Sequence, residues 1–259
     1  MSFLRYMTLY SLRKLNPDFT INLVVPKQKS DRIERKGLEV QDEVYFDGED
    51  YTDRIKDLSV NIFDIDEILG DIKPSAFRNI QKSDILGWKI LAERGGVRAD
   101  NDILFHRPIP YEEFKDVDVS LFEYHNICPC GFLYGSPNVF WEDVLNEALR
   151  HTSENGDQAT GPLPLTFVAK QAQSEKYKHL KIVRPNNELI YPYVNIYSDW
   201  GKNCLCAFEE NLPLPPENIG IHWYGGFPVS AHYNNILTEK NYTQYNSTVC
   251  NTIKKLLND

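Results

Sequence analysis

The segment Ser83–Asp102 reads SDILGWKILAERGGVRADND and carries a helix, a turn and a strand in close succession. Apolar residues at helical spacing predict a helix over Ser83–Arg94, with Ser83 as its N-cap. Gly95-Gly96 ends this helix, because glycine readily adopts the left-handed conformation found after helix C-termini. The strand Val97–Ala99 then leads into Asp100-Asn101-Asp102. Two acidic side chains therefore emerge where a strand of an α/β fold ends, which is where such folds place ligands.

Two carboxylates separated by one residue can hold a divalent cation at such a position. The cation bridges the phosphates of a nucleotide sugar and neutralises charge that develops on a departing diphosphate. Oxygen ligands suit Mg²⁺ or Mn²⁺, and an added imidazole favours Mn²⁺. Asp100 and Asp102 are therefore candidate metal ligands and catalytic residues, but acidic pairs in turns are common, and such a triplet alone is more often solvated than functional.

The same spacing recurs in Asp64-Ile65-Asp66, after the apolar pair Ile62-Phe63. This position is similar to that of the nucleophile motif of haloacid-dehalogenase phosphatases. However, Ile68 stands where Thr or Val is expected, and no Lys motif with an acidic pair follows downstream. We therefore expect an acidic cluster at a helix N-terminus, where carboxylates interact favourably with the helix dipole.

Helices and strands continue to alternate on both sides of this segment, which is typical of an α/β sheet. Further helices are predicted over Arg5–Leu15, Val139–Arg150, Asn234–Leu237 and Thr248–Leu257, and further strands over Thr20–Val25, Val44–Phe46, Leu58–Phe63, Val119–Glu123 and Phe132–Gly135. The apolar run Ile103–Phe105 follows the acidic triplet. No internal repeat or low-complexity linker interrupts the chain, so we expect a single domain with an irregular C-terminal elaboration.

Charge and hydropathy argue against nucleic acid as the main partner and against a transmembrane segment. A net charge of −9 over 259 residues argues against nucleic acid, because binding to a phosphate backbone needs clustered Lys and Arg. No stretch approaches the roughly 20 apolar residues of a transmembrane helix. Met1–Tyr10 also lacks the long apolar run of a signal peptide. We expect a cytoplasmic protein, with peripheral membrane association and a viral or microbial source left open.

Five cysteines form two Cys-x-Cys pairs, Cys128/Cys130 and Cys204/Cys206, with a lone Cys250. Structural zinc sites usually space their ligands by two to four residues. The odd count, without a secretion signal, favours free thiols over zinc ligands or disulfides.

The segment Ser83–Asp102 resembles the sugar-binding region of the DXD-containing glycosyltransferase family, in which Ser-Asp, a helix, Gly-Gly and a strand lead into Asp-x-Asp. That family includes the yeast initiating α-mannosyltransferases and the capsular polysaccharide glycosyltransferases. Similar patches occur at Tyr6–Asp18, Thr160-Gly161-Pro162, Tyr191-Pro192 and His222–Gly226. The resemblance therefore runs in patches over most of the chain.

The resemblance implies roles for individual residues. Asp102 would bind the metal directly, and Asp100 would touch it through water or hold the ribose. His222 would complete the metal or diphosphate site, although His222-Trp223 alone also fits a core strand ending in a glycine turn. Asp84 would accept hydrogen bonds from hydroxyls of the donor sugar. The expected nucleotide-sugar contacts are Asp84, Arg98, Asp100, Asn101 and Trp223.

The chain departs from the family pattern in three places. Gly87 stands where the family has Arg, so a cation near the donor is missing. Arg98 stands where an aromatic residue is usual, and it either replaces the lost charge or points elsewhere, depending on strand alternation. The family's first strand would precede Tyr6, and Met1–Arg5 is too short to supply it, so no base-binding residue is assigned.

The resemblance further implies a single GT-A-type domain over 1–259, Rossmann-like with a mixed sheet flanked by helices. Residues 1–110 would bind the nucleotide sugar and 111–259 the acceptor, with Cys128–Asn138 and Phe227–Thr243 lining the acceptor side. The implied activity is metal-dependent transfer of a hexose or pentose from a UDP- or GDP-sugar to a glycan, glycoprotein or other hydroxyl acceptor.

Members of the closest family retain anomeric configuration, and such a reaction needs no dedicated general base. An inverting enzyme would need a carboxylate base, and Glu123 and Asp199 are the candidates by position. Two alternatives remain open at this point: an inactive sugar- or nucleotide-binding protein of the same fold, and a metal-dependent phosphohydrolase.

Overall fold

Helices and short strands alternate along the chain in the computed structural model, which describes residues 1–25, 46–72, 79–153, 158–192 and 206–258. The α-helices are α1 (Phe3–Leu15), α2 (Ile65–Leu69), α3 (Asn79–Glu93), α4 (Tyr111–Phe114), α5 (Val139–Arg150), α6 (Pro162–Ala169), α7 (Pro228–Ile236) and α8 (Thr248–Asn258). The strands are β1 (Asn22–Val25), β2 (Asn61–Asp64), β3 (Gly96–Ala99), β4 (Ile103–Phe105), β5 (Val119–Ser120), β6 (Phe132–Gly135), β7 (Ile182–Val183) and β8 (Gly220–His222), and 3-10 helices cover Thr52–Leu58, Asn187–Leu189 and Tyr242–Gln244. The predicted α/β class is confirmed.

The strands of the described residues pair in two-stranded ladders. β1 and β2 are parallel, as are β5 and β7. β3 runs antiparallel to β6, and β4 runs antiparallel to β8 with Ile103 opposite His222. The two antiparallel ladders therefore flank the Asp100-Asn101-Asp102 turn, which connects β3 to β4.

Two hydrophobic clusters fill the interior, and β4 lies between them. Trp88 and Trp141, stacked with ring centroids 6.3 Å apart, belong to the first cluster. Ile103 and Phe105 of β4 also face this cluster, whereas Leu104 faces the second, which is built largely on α1 and α8. This alternation follows from the period of two along a strand. The turn before β4 is consequently fixed by packing on both sides.

Most predicted elements are confirmed, and their ends differ by a few residues. α1 begins at Phe3 because the Ser2 side chain accepts a hydrogen bond from the Arg5 N–H and caps the helix. Asp64 caps α2 by accepting from the Asp66 N–H at 2.9 Å, which confirms the acidic cluster at a helix N-terminus. The predicted strand over Val119–Glu123 forms only as far as Ser120.

The Ser83 N-cap prediction is wrong. α3 begins at Asn79, so Ser83 lies inside the helix. Serine is common at caps but is tolerated in helix interiors, and the residues before Ser83 continue the helical period. The predicted end is confirmed, because Gly95 has φ +65° and its N–H bonds to the carbonyl oxygen of Leu91.

The remaining expectations on the fold fall at the edge of what is described. Cys128, Cys130, Cys206 and Cys250 are free thiols. Val44, Asp199 and Cys204 lie outside the described residues. Within the described ranges, no helix combines the length and the apolar character needed to cross a membrane.

Candidate metal centre

Asp100, Asp102 and His222 meet where the two antiparallel ladders join. Asp100 follows β3 directly, Asp102 precedes β4, and His222 ends β8, which pairs with β4. One potential ligand atom from each residue lies within 4.8 Å of the others. In the parts of the chain that the structure describes, no other three His, Cys, Asp or Glu side chains converge in this way. The structure therefore brings the sequence-predicted triad together.

Asp102 is fixed by contacts from three sides. His222 Nε2 lies 2.8 Å from Asp102 Oδ1, and the ring nitrogen must donate because a carboxylate only accepts. The Gly225 N–H donates to Asp102 Oδ2 at 2.8 Å, and the Trp223 N–H donates to the Asp102 carbonyl oxygen. These bonds couple the acidic turn to the end of β8 and the glycine turn that follows it.

The pKa values of Asp102 and His222 are shifted towards the charged forms, although burial opposes charge on both side chains. Burial favours the neutral carboxyl group, but the His222 imidazole outweighs it and holds the pKa of Asp102 below its usual range. Burial likewise disfavours the imidazolium, and Asp102 outweighs it and raises the pKa of His222. These shifts favour the charged pair, a carboxylate on Asp102 and an imidazolium on His222.

Asp100 has a different environment from Asp102. Its backbone N–H donates to the Gly131 carbonyl oxygen at 2.7 Å, and its Oδ1 lies 3.7 Å from Arg98 Nη2. Burial raises the pKa of Asp100 to about 6, against the opposing effect of Arg98. The two carboxylates of the turn therefore differ in proton affinity, although they are two residues apart.

The residues present fit a divalent cation. Two carboxylates and an imidazole suit Mn²⁺ or Mg²⁺. A protonated ring cannot bind a cation, but in the neutral ring with Nε2 donating to Asp102 the lone pair is on Nδ1, which is buried without a hydrogen-bond partner in the described chain. A Cβ atom at Gly131 would lie 2.9 Å from His222 Cε1 and 3.1 Å from Asp100 Oδ2, so glycine at this position leaves room for both side chains.

Beside the metal centre, Arg98 and Asp84 form a buried ion pair. Arg98 Nη2 donates to Asp84 Oδ1 at 3.2 Å, and both side chains are about nine-tenths buried (10% and 8% exposed). Thr160 Oγ1 donates to Asp84 Oδ2 at 3.1 Å. Burial raises the pKa of Asp84 even with Arg98 opposing it, whereas the anionic groups around Arg98 raise its pKa against burial.

Two glycines make room for this pair. A Cβ atom at Gly87 would lie 2.6 Å from Arg98 Nε and 2.8 Å from Arg98 Cζ, so the Arg98 guanidinium fills the side-chain volume of position 87. The guanidinium also lies over the Trp88 ring, with Cζ 4.7 Å from its centroid. At Gly161 a Cβ atom would lie 2.8 Å from Asp84 Oδ2. The Thr160-Gly161-Pro162 turn therefore forms one wall of the Asp84 site.

Asn101 and Trp223, two of the predicted nucleotide-sugar contacts, both lie beside Arg5. Asn101 accepts a hydrogen bond on its carbonyl oxygen from Arg5 Nη1 at 2.9 Å, and its buried Oδ1 has no partner among the described residues. The Trp223 ring is 1% exposed and packs in the second hydrophobic cluster, with the Arg5 guanidinium 5.5 Å from its centroid. Its binding role stays a prediction.

Glu123, one of the two candidates for a general base, is exposed and pairs with Arg184 at 3.2 Å. The sequence did not single out Arg5, Gly131 or Gly225, which hold or shape the acidic turn. Of these, only Gly225 lay in a segment that resembles the family, His222–Gly226, and it was not assigned a role there. Contacts between segments 31 to 123 residues apart leave no local pattern.

Comparisons with known proteins add a distant structural likeness. No protein-family model matches the chain, and no curated protein matches it. Among solved structures, it is similar to one titled PaToxG Glycosyltransferase, with 16% sequence identity, a TM-score of 0.42 and coverage of 67% of this chain. The match spans 64% of that chain, which is less than two thirds of its length. At this TM-score the likeness does not identify a function, so the chemistry must come from the site itself.

Proposed function

We propose that this chain is a metal-dependent glycosyltransferase of GT-A type, which moves a hexose or pentose from a UDP- or GDP-sugar to a hydroxyl of a glycan or glycoprotein. The observation that carries the proposal is the convergence of Asp100, Asp102 and His222 beside the buried Arg98–Asp84 pair. A sugar diphosphate requires positive charge near its phosphates and hydrogen-bond acceptors near its sugar hydroxyls. The metal site and the Arg98 guanidinium supply the charge, and the Asp84 carboxylate is such an acceptor.

In this proposal Asp102, Asp100 and His222 hold Mn²⁺ or Mg²⁺. When bound, the cation acts as a Lewis acid that neutralises charge on the departing diphosphate. Arg98 supplies a second positive charge from the protein, and Asp84 accepts hydrogen bonds from the donor sugar. The Asn101 amide, with its buried and unpartnered oxygen, accepts from a hydroxyl of the donor.

The proposed reaction retains anomeric configuration, with the departing phosphate oxygen taking the acceptor proton. Glu123 supports this choice, because it is exposed and engaged by Arg184, which is an unfavourable state for a general base. NMR analysis of the anomeric proton of the product distinguishes retention from inversion.

Binding and turnover assays test the proposal with a matched pair of variants. Mn²⁺ with UDP or with GDP should raise the melting temperature, and the enzyme should slowly hydrolyse the corresponding nucleotide sugar in a metal-dependent way. Asp102→Asn should lose both effects. Asp66→Asn, which changes the second Asp-x-Asp pattern at the exposed start of α2, should keep both.

Each rival has its own outcome. Binding of Mn²⁺ and nucleotide without hydrolysis or transfer would indicate an inactive binding protein of this fold. Release of phosphate from simple phosphoesters, but not from nucleotide sugars, would indicate a phosphohydrolase. Asp64 and Asp66, the candidate residues for such an enzyme, instead cap and begin α2.

A further inference from the structure

Tyr191 approaches the metal centre from a part of the chain distant from the acidic turn. It follows the 3-10 helix Asn187–Leu189 and is 2% exposed. Its ring centroid lies 5.5 Å from that of His222. The ring is held edge-on between Phe122 and Tyr124, with interplanar angles of 81° and 82°. Its position is therefore set by packing on several sides.

The hydroxyl of Tyr191 lies against the same small volume as two of the candidate metal ligands. A Cβ atom placed on Gly131 would be 3.3 Å from the Tyr191 hydroxyl oxygen, 3.1 Å from Asp100 Oδ2 and 2.9 Å from His222 Cε1. A single methyl-sized position therefore touches all three side chains. Gly131 therefore lets these three side chains converge, because a Cβ atom here would crowd all of them.

Within the described chain, the fully buried Tyr191 hydroxyl has only a weak interaction with the Phe132 backbone and no hydrogen bond of normal geometry. An unsatisfied buried hydroxyl is unfavourable, and native structures rarely keep one without a reason. Phenylalanine would fill the same space without an unpaired proton. A ligand that brings an acceptor to this position would satisfy the hydroxyl.

We propose that the Tyr191 hydroxyl donates a hydrogen bond to a phosphate oxygen of the bound nucleoside diphosphate sugar. This inference rests on the proposed function. A phosphate oxygen is favoured over a sugar hydroxyl because the Tyr191 hydroxyl lies beside Asp100 and His222, to which a bound cation would draw the diphosphate. Hydrogen bonds to ionised acceptors are also the stronger kind.

Tyr191→Phe and Tyr124→Phe provide a matched test. Both substitutions remove a buried hydroxyl that makes no hydrogen bond of normal geometry among the described residues, and the two rings contact each other. Within the described residues, Tyr124 forms no hydrogen bond, ion pair or ring contact with Asp100 or His222. Calorimetry measures the affinity of each protein for Mn²⁺ alone, for UDP and GDP with Mn²⁺, and for the corresponding nucleotide sugars.

We expect Tyr191→Phe to bind Mn²⁺ alone like the wild type and to bind Mn²⁺–UDP or Mn²⁺–GDP about tenfold more weakly, which is about 1.4 kcal/mol. Its ligand-free melting temperature should stay equal or rise. Tyr124→Phe should match the wild type in every titration. This pattern assigns the Tyr191 hydroxyl to the diphosphate.

Other patterns separate failure of this inference from failure of the proposed function. If the wild type binds the nucleoside diphosphate and Tyr191→Phe binds it equally well, the assignment of Tyr191 is wrong while the proposed function stands. A loss confined to the nucleotide sugars would place the hydroxyl at the sugar and also overturn the assignment. If the wild type binds neither nucleotide, both proposals fail.

Discussion

His222 Nε2 lies 2.8 Å from Asp102 Oδ1, and this contact joins the acidic turn between β3 and β4 to the end of β8. The Gly225 N–H holds the second oxygen of the same carboxylate. Asp102 is therefore both a candidate metal ligand and the residue that closes two loops against each other. Variants at this position must be read with stability measured alongside activity.

Asp102→Ala should nearly abolish transfer. Removing one preorganised electrostatic contribution at a developing negative charge commonly costs about 10²–10³-fold in turnover, and loss of the metal should cost at least that. Single-turnover kinetics with a UDP- or GDP-sugar measure the effect. Near-normal turnover in a variant that still folds would exclude the proposed metal centre, and Asp66→Ala serves as the control at an exposed Asp-x-Asp position.

Arg98→Ala should weaken binding of the nucleoside diphosphate about tenfold or more, because it removes a buried positive charge beside Asp100. The guanidinium fills the space next to Gly87, so the double variant Gly87→Arg with Arg98→Ala returns a guanidinium to the same volume. We expect this double variant to recover part of the lost affinity. Calorimetry with Mn²⁺–UDP and Mn²⁺–GDP decides, and unchanged affinity in Arg98→Ala would remove Arg98 from the donor site.

The helix end, the β3 strand and the acidic turn could be predicted because each depends on neighbouring residues. Gly95 adopts φ +65° as a helix-ending glycine should, and β3 follows at once. The start of α3 could not be placed from Ser83, because an N-cap residue is also acceptable inside a helix. Local sequence thus predicted the acidic turn better than the start of the helix before it.

The surroundings of the turn could not be predicted, because they depend on contacts between distant segments. The sequence left open whether Arg98 faces the site, since a residue on a strand points to either side. The structure orients it towards Asp84, through the gap at Gly87. Gly131 and Tyr191 lie far from Asp100 and His222 in the sequence, and only the fold brings these four residues together.

Asp84→Ala should destabilise the protein by about 3–5 kcal/mol, because removing one partner of a buried ion pair leaves the other charge uncompensated. Asp84 pairs with Arg98 while both are about nine-tenths buried. Glu93→Ala, which removes an exposed ion pair with Lys89, should cost less than about 1 kcal/mol. Urea unfolding of both variants measures the difference, and equal small losses would show that the Arg98–Asp84 pair contributes little to stability.

Gly131→Ala should weaken metal binding while the protein still folds. The added Cβ would meet His222 Cε1 at 2.9 Å, Asp100 Oδ2 at 3.1 Å and the Tyr191 hydroxyl at 3.3 Å. These are side-chain atoms, so they can move by a few tenths of an ångström, but the movement displaces two candidate metal ligands. Coordination depends on such small distances, so we expect the affinity for Mn²⁺ to fall about tenfold or more.

Gly70→Ala separates this local effect from a general loss of stability. Gly70 has φ +58° and ψ −120° with open space around it, so alanine there strains the backbone by about 1–3 kcal/mol without touching the metal centre. Titration with Mn²⁺ should give wild-type affinity for Gly70→Ala and reduced affinity for Gly131→Ala at similar unfolding free energies. If both variants bind Mn²⁺ like the wild type, the affinity for Mn²⁺ does not depend on the lack of a side chain at Gly131 beside Asp100 and His222.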